Sequence, residues 1–123
     1  MLIDWQSAIE ANLEDETRPQ KRKVHYKMPR MLGVTTFLVD LANRMAEDGK
    51  KVIFLVPSQR HVKEYQKRVE DGIVVVSGTN IWNLKGWHYD HLLGDCLGDK
   101  MIEEVERETF YIKATRLYID SVD

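Results

Sequence analysis

The sequence predicts a three-layer α/β fold: a mostly parallel sheet of about four or five strands with helices on both faces. Two observations predict it. The runs "KVIFLVP" and "GIVVVSG" are apolar at nearly every position, as strands buried on both faces must be. Between such runs lie segments whose apolar residues recur at helical spacing, and strands alternating with helices build parallel sheets.

Taken in order, Asp4 is placed to cap a helix in which Ile9 and Leu13 recur four apart, and the charged stretch "EDETRPQKRK" with Pro19 reads as a loop. "KVHYKM" alternates Val24, Tyr26 and Met28 on one side, a strand pattern. A turn at Gly33 follows, and then Phe37, Leu38, Leu41, Ala42 and Met45 form the apolar stripe of a helix stopped near Gly49. "KVIFLVP" is the second strand. Pro57 and Ser58 open a second helix with Val62, Tyr65 and Val69 on one face, and "GIVVVSG" is the third strand. "TNIWNLKGWH" reads as a loop and "YDHLLGD" as a fourth strand. A last helix is expected from about Lys100 to Asp120, carrying Ile102, Val105, Ile112 and Ile119. The strand ends at "KMPR", "LVPS", "VVSG" and "LLGD" then share one edge of the sheet, where open α/β sheets bind ligands.

At 123 residues the chain reads as a single domain over 1–123, with no internal repeat. A net charge of −2 supplies no global attraction to nucleic acid or membrane. The charge is unevenly spread. No acidic residue lies between Thr17 and Val39, while Arg18, Lys21, Arg22, Lys23, Lys27 and Arg30 are basic. Such a run is either a solvated face or an anion-binding end. One cysteine, Cys96, leaves no partner for a disulfide within the chain and fits a reducing compartment. "MLIDWQSAIE" lacks the pattern of a signal peptide, and no apolar run approaches membrane-spanning length. The expectation is a cytoplasmic protein with no membrane partner.

Two segments carry chemistry. "MPRMLGVTTF" places a glycine turn and a threonine-started helix after a strand, the layout of a phosphate-binding loop. In such loops backbone N–H groups and the helix dipole attract phosphate, a lysine reaches the outer phosphates, and a hydroxyl binds magnesium. Gly33, Thr35 and Thr36 fit, but the lysine position is Val34, and Met28 stands where the first glycine falls. "YDHLLGDC" is an apolar strand ending in an acid, the Walker B pattern. Asp95 fits the magnesium-holding aspartate, and Cys96 stands where a water-activating glutamate belongs. A thiol of ordinary pKa is mostly protonated and is no substitute for that carboxylate. A competing reading of "WHYDHLLGDC" takes His88, Asp90, His91, Asp95 and Cys96 as metal ligands, although His88 and Asp90 would share one strand face and His91 the other. Trp82 and Trp87, flanking Lys85, are placed either for packing or for stacking on bases, with Lys21, Arg22 and Lys23 as companion phosphate contacts. Trp5 reads as a packing residue beside a helix start.

In combination these pieces resemble the N-terminal ATPase domain of phage large terminase subunits and related helicase-like P-loop NTPases, over roughly Leu2 to Asp99. "DWQ" is similar to the family's adenine-contacting motif. "PRMLGVTT" resembles its phosphate loop at Arg30, Gly33, Thr35 and Thr36, and departs from it at Met31 and Val34. "KKVIFLVPSQRHVKEY" resembles the second strand and its helix, and "NLKGWHYDHLLGD" the approach to Walker B. The resemblance implies a P-loop NTPase-like fold and a degenerate site for ATP with magnesium. It would be formed by Gln6, Lys27, Arg30, Gly33, Thr35, Thr36 and Asp95, with Asp95 as the magnesium ligand. Lys27 or Arg30 would stand in for the missing lysine, as an early loop lysine does in some terminases. The losses at Val34 and Cys96 argue against useful turnover and for a protein that works by binding a protein or DNA partner. An unusual active ATPase or packaging component and a DNA-binding module are the alternatives. All of this requires the glycine turn and the Asp95 strand to lie on neighbouring parallel strands.

Overall fold

Alternation of side chains along each strand decides how the layers form. In a computed structural model, Ile9 and residues 23–29, 33–81, 84 and 88–122 are described. Five strands are present among them: β1 (Lys23–Pro29), β2 (Val52–Val56), β3 (Val74–Ser77), β4 (His91–Asp95) and β5 (Thr115–Val122). Three helices accompany them: α1 (Val34–Glu47), α2 (Gln59–Gln66) and α3 (Asp99–Glu108). The strands pair in the order β1-β5-β4-β2-β3, every pair parallel.

All five residues of β2 are buried. Val52, Phe54 and Val56 face one layer, where Leu38, Leu41 and Met45 of α1 and Val62 and Tyr65 of α2 close over Leu93, Leu117 and Ile119. Ile53 and Leu55 face the other, with Leu92, Tyr118 and the α3 residues Ile102 and Val105. Each such side chain contributes about 1.5–3 kcal/mol by leaving water, so both faces of the sheet are held. Ile9 is helical and buried against the α1 layer, whereas the rest of the segment around Asp4 and Leu13 lies outside the described residues.

The last element differs from its expectation. The helix predicted to run to Asp120 ends at Glu108, and Thr115–Val122 is a strand. No glycine or proline separates the two, so the apolar spacing of Val105, Ile112 and Ile119 reads as one continuous helix. The real signal is alternation: Leu117 and Ile119 enter one core while Tyr118 enters the other. Arg116 enforces the break. Its guanidinium is buried, pairs with Glu106, and donates to the carbonyl of Ile112 at 2.8 Å, satisfying the chain that leaves the helix.

A consequence of this strand is that β1 and β4 are not neighbours; β5 lies between them. The close approach of β4 to β5 depends on Gly94. A Cβ there would stand 2.6 Å from Tyr118 Cδ1 and 2.9 Å from Leu97 Cδ1, and Tyr118 is wholly buried. Gly94→Ala is therefore expected to destabilise the protein by about 1–3 kcal/mol through overpacking. Urea unfolding of the two proteins checks this.

Candidate functional site

The expectation that the glycine turn and the Asp95 strand lie on neighbouring strands fails, since β5 separates β1 from β4. Yet the α1 N-terminus still reaches the end of β4. Gly33 caps α1 at φ 74° and ψ 30°, a left-handed conformation that favours glycine, and Phe37 N–H donates to its carbonyl at 2.9 Å. That turn sends α1 back across the sheet from the edge strand. At the second residue of the helix, Thr35 Oγ1 donates to Asp95 Oδ2 at 2.7 Å. Tyr65 of α2 donates its phenol to the same oxygen at 2.8 Å.

Asp95 is 1% exposed, and its other oxygen, Oδ1, is buried with no hydrogen-bond partner among the described residues. A buried carboxylate with one oxygen doubly bonded and the other bare has capacity for a further donor or a cation. The Tyr65 hydroxyl is affected in turn. Burial first, and then the Asp95 charge, push its pKa up to about 12. Its ring packs edge-on against Phe54 at 5.4 Å, which fixes the phenol toward Asp95.

Val34, at the lysine position, is 6% exposed and belongs to the apolar core beneath α1. Its side chain is part of the packing and not of the polar edge. Thr36 is exposed, at 3.4 Å from an Arg68 nitrogen. Cys96 follows Asp95 at φ 55°, exposed, with Sγ 3.5 Å from Ser121 Oγ.

Lys27 is directed elsewhere. Val24, Tyr26 and Met28 pack on the α1 side of β1, so Lys27 projects to the α3 side, where its ammonium meets Asp99 Oδ2 at 3.1 Å. Lys23 projects the same way, 3.6 Å from Glu106. Gln6, Arg30, Lys21, Arg22, Trp82, Lys85 and Trp87 lie outside the described residues, as does Trp5.

The metal reading of "WHYDHLLGDC" meets a different geometry. β4 begins only at His91, so His88 and Asp90 precede the strand. Asp90 Oδ2 is turned to the backbone N–H of Lys51 at 2.8 Å. Among the described residues, the ligand types that do converge are His25, Asp99 and Asp120. Sequence reasoning passed over this trio because Asp120 was assigned to a helix. It also passed over Tyr65, which its spacing marks only as an apolar-face residue.

No protein-family model matches the chain, and no curated protein sequence matches it. Among solved structures it is similar to the C-terminal domain of a possible DNA helicase from Lactobacillus plantarum WCFS1, at 13% identity and a TM-score of 0.54. The match covers 98% of this chain and 88% of that one. At this identity the likeness concerns the fold alone, a parallel α/β sheet with helices on both faces, and the neighbour is described as part of a possible DNA helicase, not a terminase. No helix among the described residues is long and apolar enough to cross a membrane.

Tyr65 offers a test of the site's electrostatics. Its pKa is raised above the ordinary value near 10. The neutral phenol is therefore the form the fold favours. The stability it contributes is complete below pH 10 and is lost as pH rises through about 12. Tyr65→Phe is expected to cost about 1–3 kcal/mol at neutral pH by removing a donor from a buried carboxylate. The variant's stability should also fall less steeply than that of the parent between pH 10 and 12, in urea unfolding across that range.

Proposed function

We propose that this chain is a degenerate terminase- and helicase-like P-loop protein that keeps the architecture of an ATPase, does not turn ATP over, and acts by binding a protein or DNA partner. On this reading it is a phage protein, as the resemblance of "PRMLGVTT" and "NLKGWHYDHLLGD" suggests. The observation that carries the proposal is the state of the Asp95 site. A hydroxyl and an acid stand together as a magnesium pair would, at 2.7 Å. Yet Val34 is packed into the core, and Tyr65 donates to the same carboxylate oxygen as Thr35.

The donor set fits magnesium in part. Thr35 and Asp95 offer a hydroxyl and a carboxylate with one bare oxygen, the hard oxygen ligands that ion takes. A triphosphate finds little support from β1, although Arg68 lies 3.4 Å from Thr36 in the first turn of α1. Among the described residues no lysine or arginine reaches the α1 N-terminus from β1, since Lys27 lies on the other face of the sheet with Asp99. A positioned base typically supplies about 10²–10⁴ in rate, and Cys96 is no such base. No hydrolytic step is assigned to these residues.

The test is twofold. With Mg–ATP at 1 mM, a site whose Kd is no tighter than that concentration stabilises the fold by no more than about 0.4 kcal/mol, so the thermal shift should be slight. Phosphate release should not exceed background. Steady magnesium-dependent hydrolysis that disappears in Asp95→Ala would overturn the proposal.

A further inference from the structure

The α3 side of the sheet edge carries a second cluster, which the nucleotide reading does not use. β1 and β5 are in register with His25 opposite Tyr118 and Lys27 opposite Asp120. His25 and Asp120 therefore project from the same face of the sheet, and His25 Nε2 meets Asp120 Oδ2 at 2.9 Å. Asp99, the first residue of α3, brings its carboxylate to the same place. One ligand atom from each of the three lies within 4.8 Å of the other two. A cavity of about 270 Å³ opens beside this point, lined by Lys27, Asp99 and Asp120 with Cys96, Gly98 and Ser121.

We propose that His25, Asp99 and Asp120 form a binding site for a divalent transition metal of the zinc class. The set is an imidazole nitrogen and two carboxylates from three separate elements. That mixture suits zinc and its neighbours, whereas magnesium and calcium take oxygen ligands throughout. In a tetrahedral zinc shell the ligand atoms stand about 3.4 Å apart, from metal–ligand bonds near 2.1 Å. The His25–Asp120 pair already lies close to that, and Asp99, at the exposed start of α3, supplies the adjustable arm. Asp120 is held for the task. It is 7% exposed, and Gly98 N–H donates to its Oδ1 at 3.2 Å, the kind of outer hydrogen bond that orients a metal-binding carboxylate.

The charge balance supports the assignment. Two carboxylates converge, and the cation beside them is Lys27, which lines the same cavity and pairs with Asp99 at 3.1 Å, its side chain 54% exposed. An arriving metal takes the place of that ammonium. Three protein ligands leave a coordination position open toward the cavity, the arrangement of zinc sites that bind water or a small ligand. The site lies across the sheet from Asp95 and Thr35, and it stands or falls independently of the nucleotide proposal.

The experiment is calorimetric titration of the chelator-treated full chain with zinc chloride, without nucleotide, paralleled by visible absorption on adding cobalt(II). The expected result is saturable binding of one metal per chain, with cobalt bands of a tetrahedral site. Asp99→Asn, at an exposed position, should keep the thermal unfolding of the parent while weakening zinc by at least about tenfold. His25→Ala should weaken it further. Lys27→Met, which removes the competing ammonium, should tighten it several-fold. Cys96→Ser should leave it within twofold. Absence of saturable binding overturns the proposal. So does binding that survives Asp99→Asn unchanged, and so does binding lost on Cys96→Ser alone, which would report a thiol site instead.

Discussion

The hydrogen bonds converging on the Asp95 carboxylate hold the carboxyl edge of the sheet together. A charge this deeply buried is costly unless donors surround it. Here the donors come from Thr35 at the start of α1 and Tyr65 in α2, at 2.7 and 2.8 Å. The acid at the end of β4 thus ties the start of α1 to the last turn of α2. Removing one partner of such a group leaves a buried charge partly unpaired, and that is more damaging than never having had the pair.

The same arrangement accounts for the likeness of these residues to a nucleotide pocket. A hydroxyl beside an acid at a helix start is what magnesium coordination needs. It is also sufficient by itself as a structural clasp, and the burial of Val34 in the core beneath α1 is consistent with that use. The exposed edge has meanwhile sorted its charges by strand face. The α1 side of β1 is apolar through Val24, Tyr26 and Met28, while Lys23 and Lys27 meet the acids of α3 and His25 meets Asp120 of β5 on the opposite face.

Much of this was legible in the residues. The uniformly apolar "VIFLV" announced a strand buried on both faces, and the stripe from Phe37 to Met45 announced the helix that covers it. Asp95 and Thr35 could be singled out from type and position. What the chain did not reveal was β5. The segment "TRLYIDSV" follows a helix with no glycine or proline between, and its strand character depends on Arg116 and on partners far away in sequence. Missing that strand hid two things at once: that β1 and β4 are separated, and that Asp120 stands beside His25. Tyr65 escaped for a different reason. Its ring obeys the apolar spacing of α2, and only its hydroxyl, a single atom, makes it part of the polar site.

The central claim is that Asp95 and Thr35 act as a clasp in the folded chain by themselves. A double-mutant cycle measures this most directly, using urea unfolding of the parent, Thr35→Val, Asp95→Ala and the double variant, without nucleotide or metal. Two residues sharing a buried hydrogen bond should show a coupling of about 1–3 kcal/mol. If the two substitutions are simply additive, within about 0.5 kcal/mol, the clasp does not hold the edge and the account is contradicted.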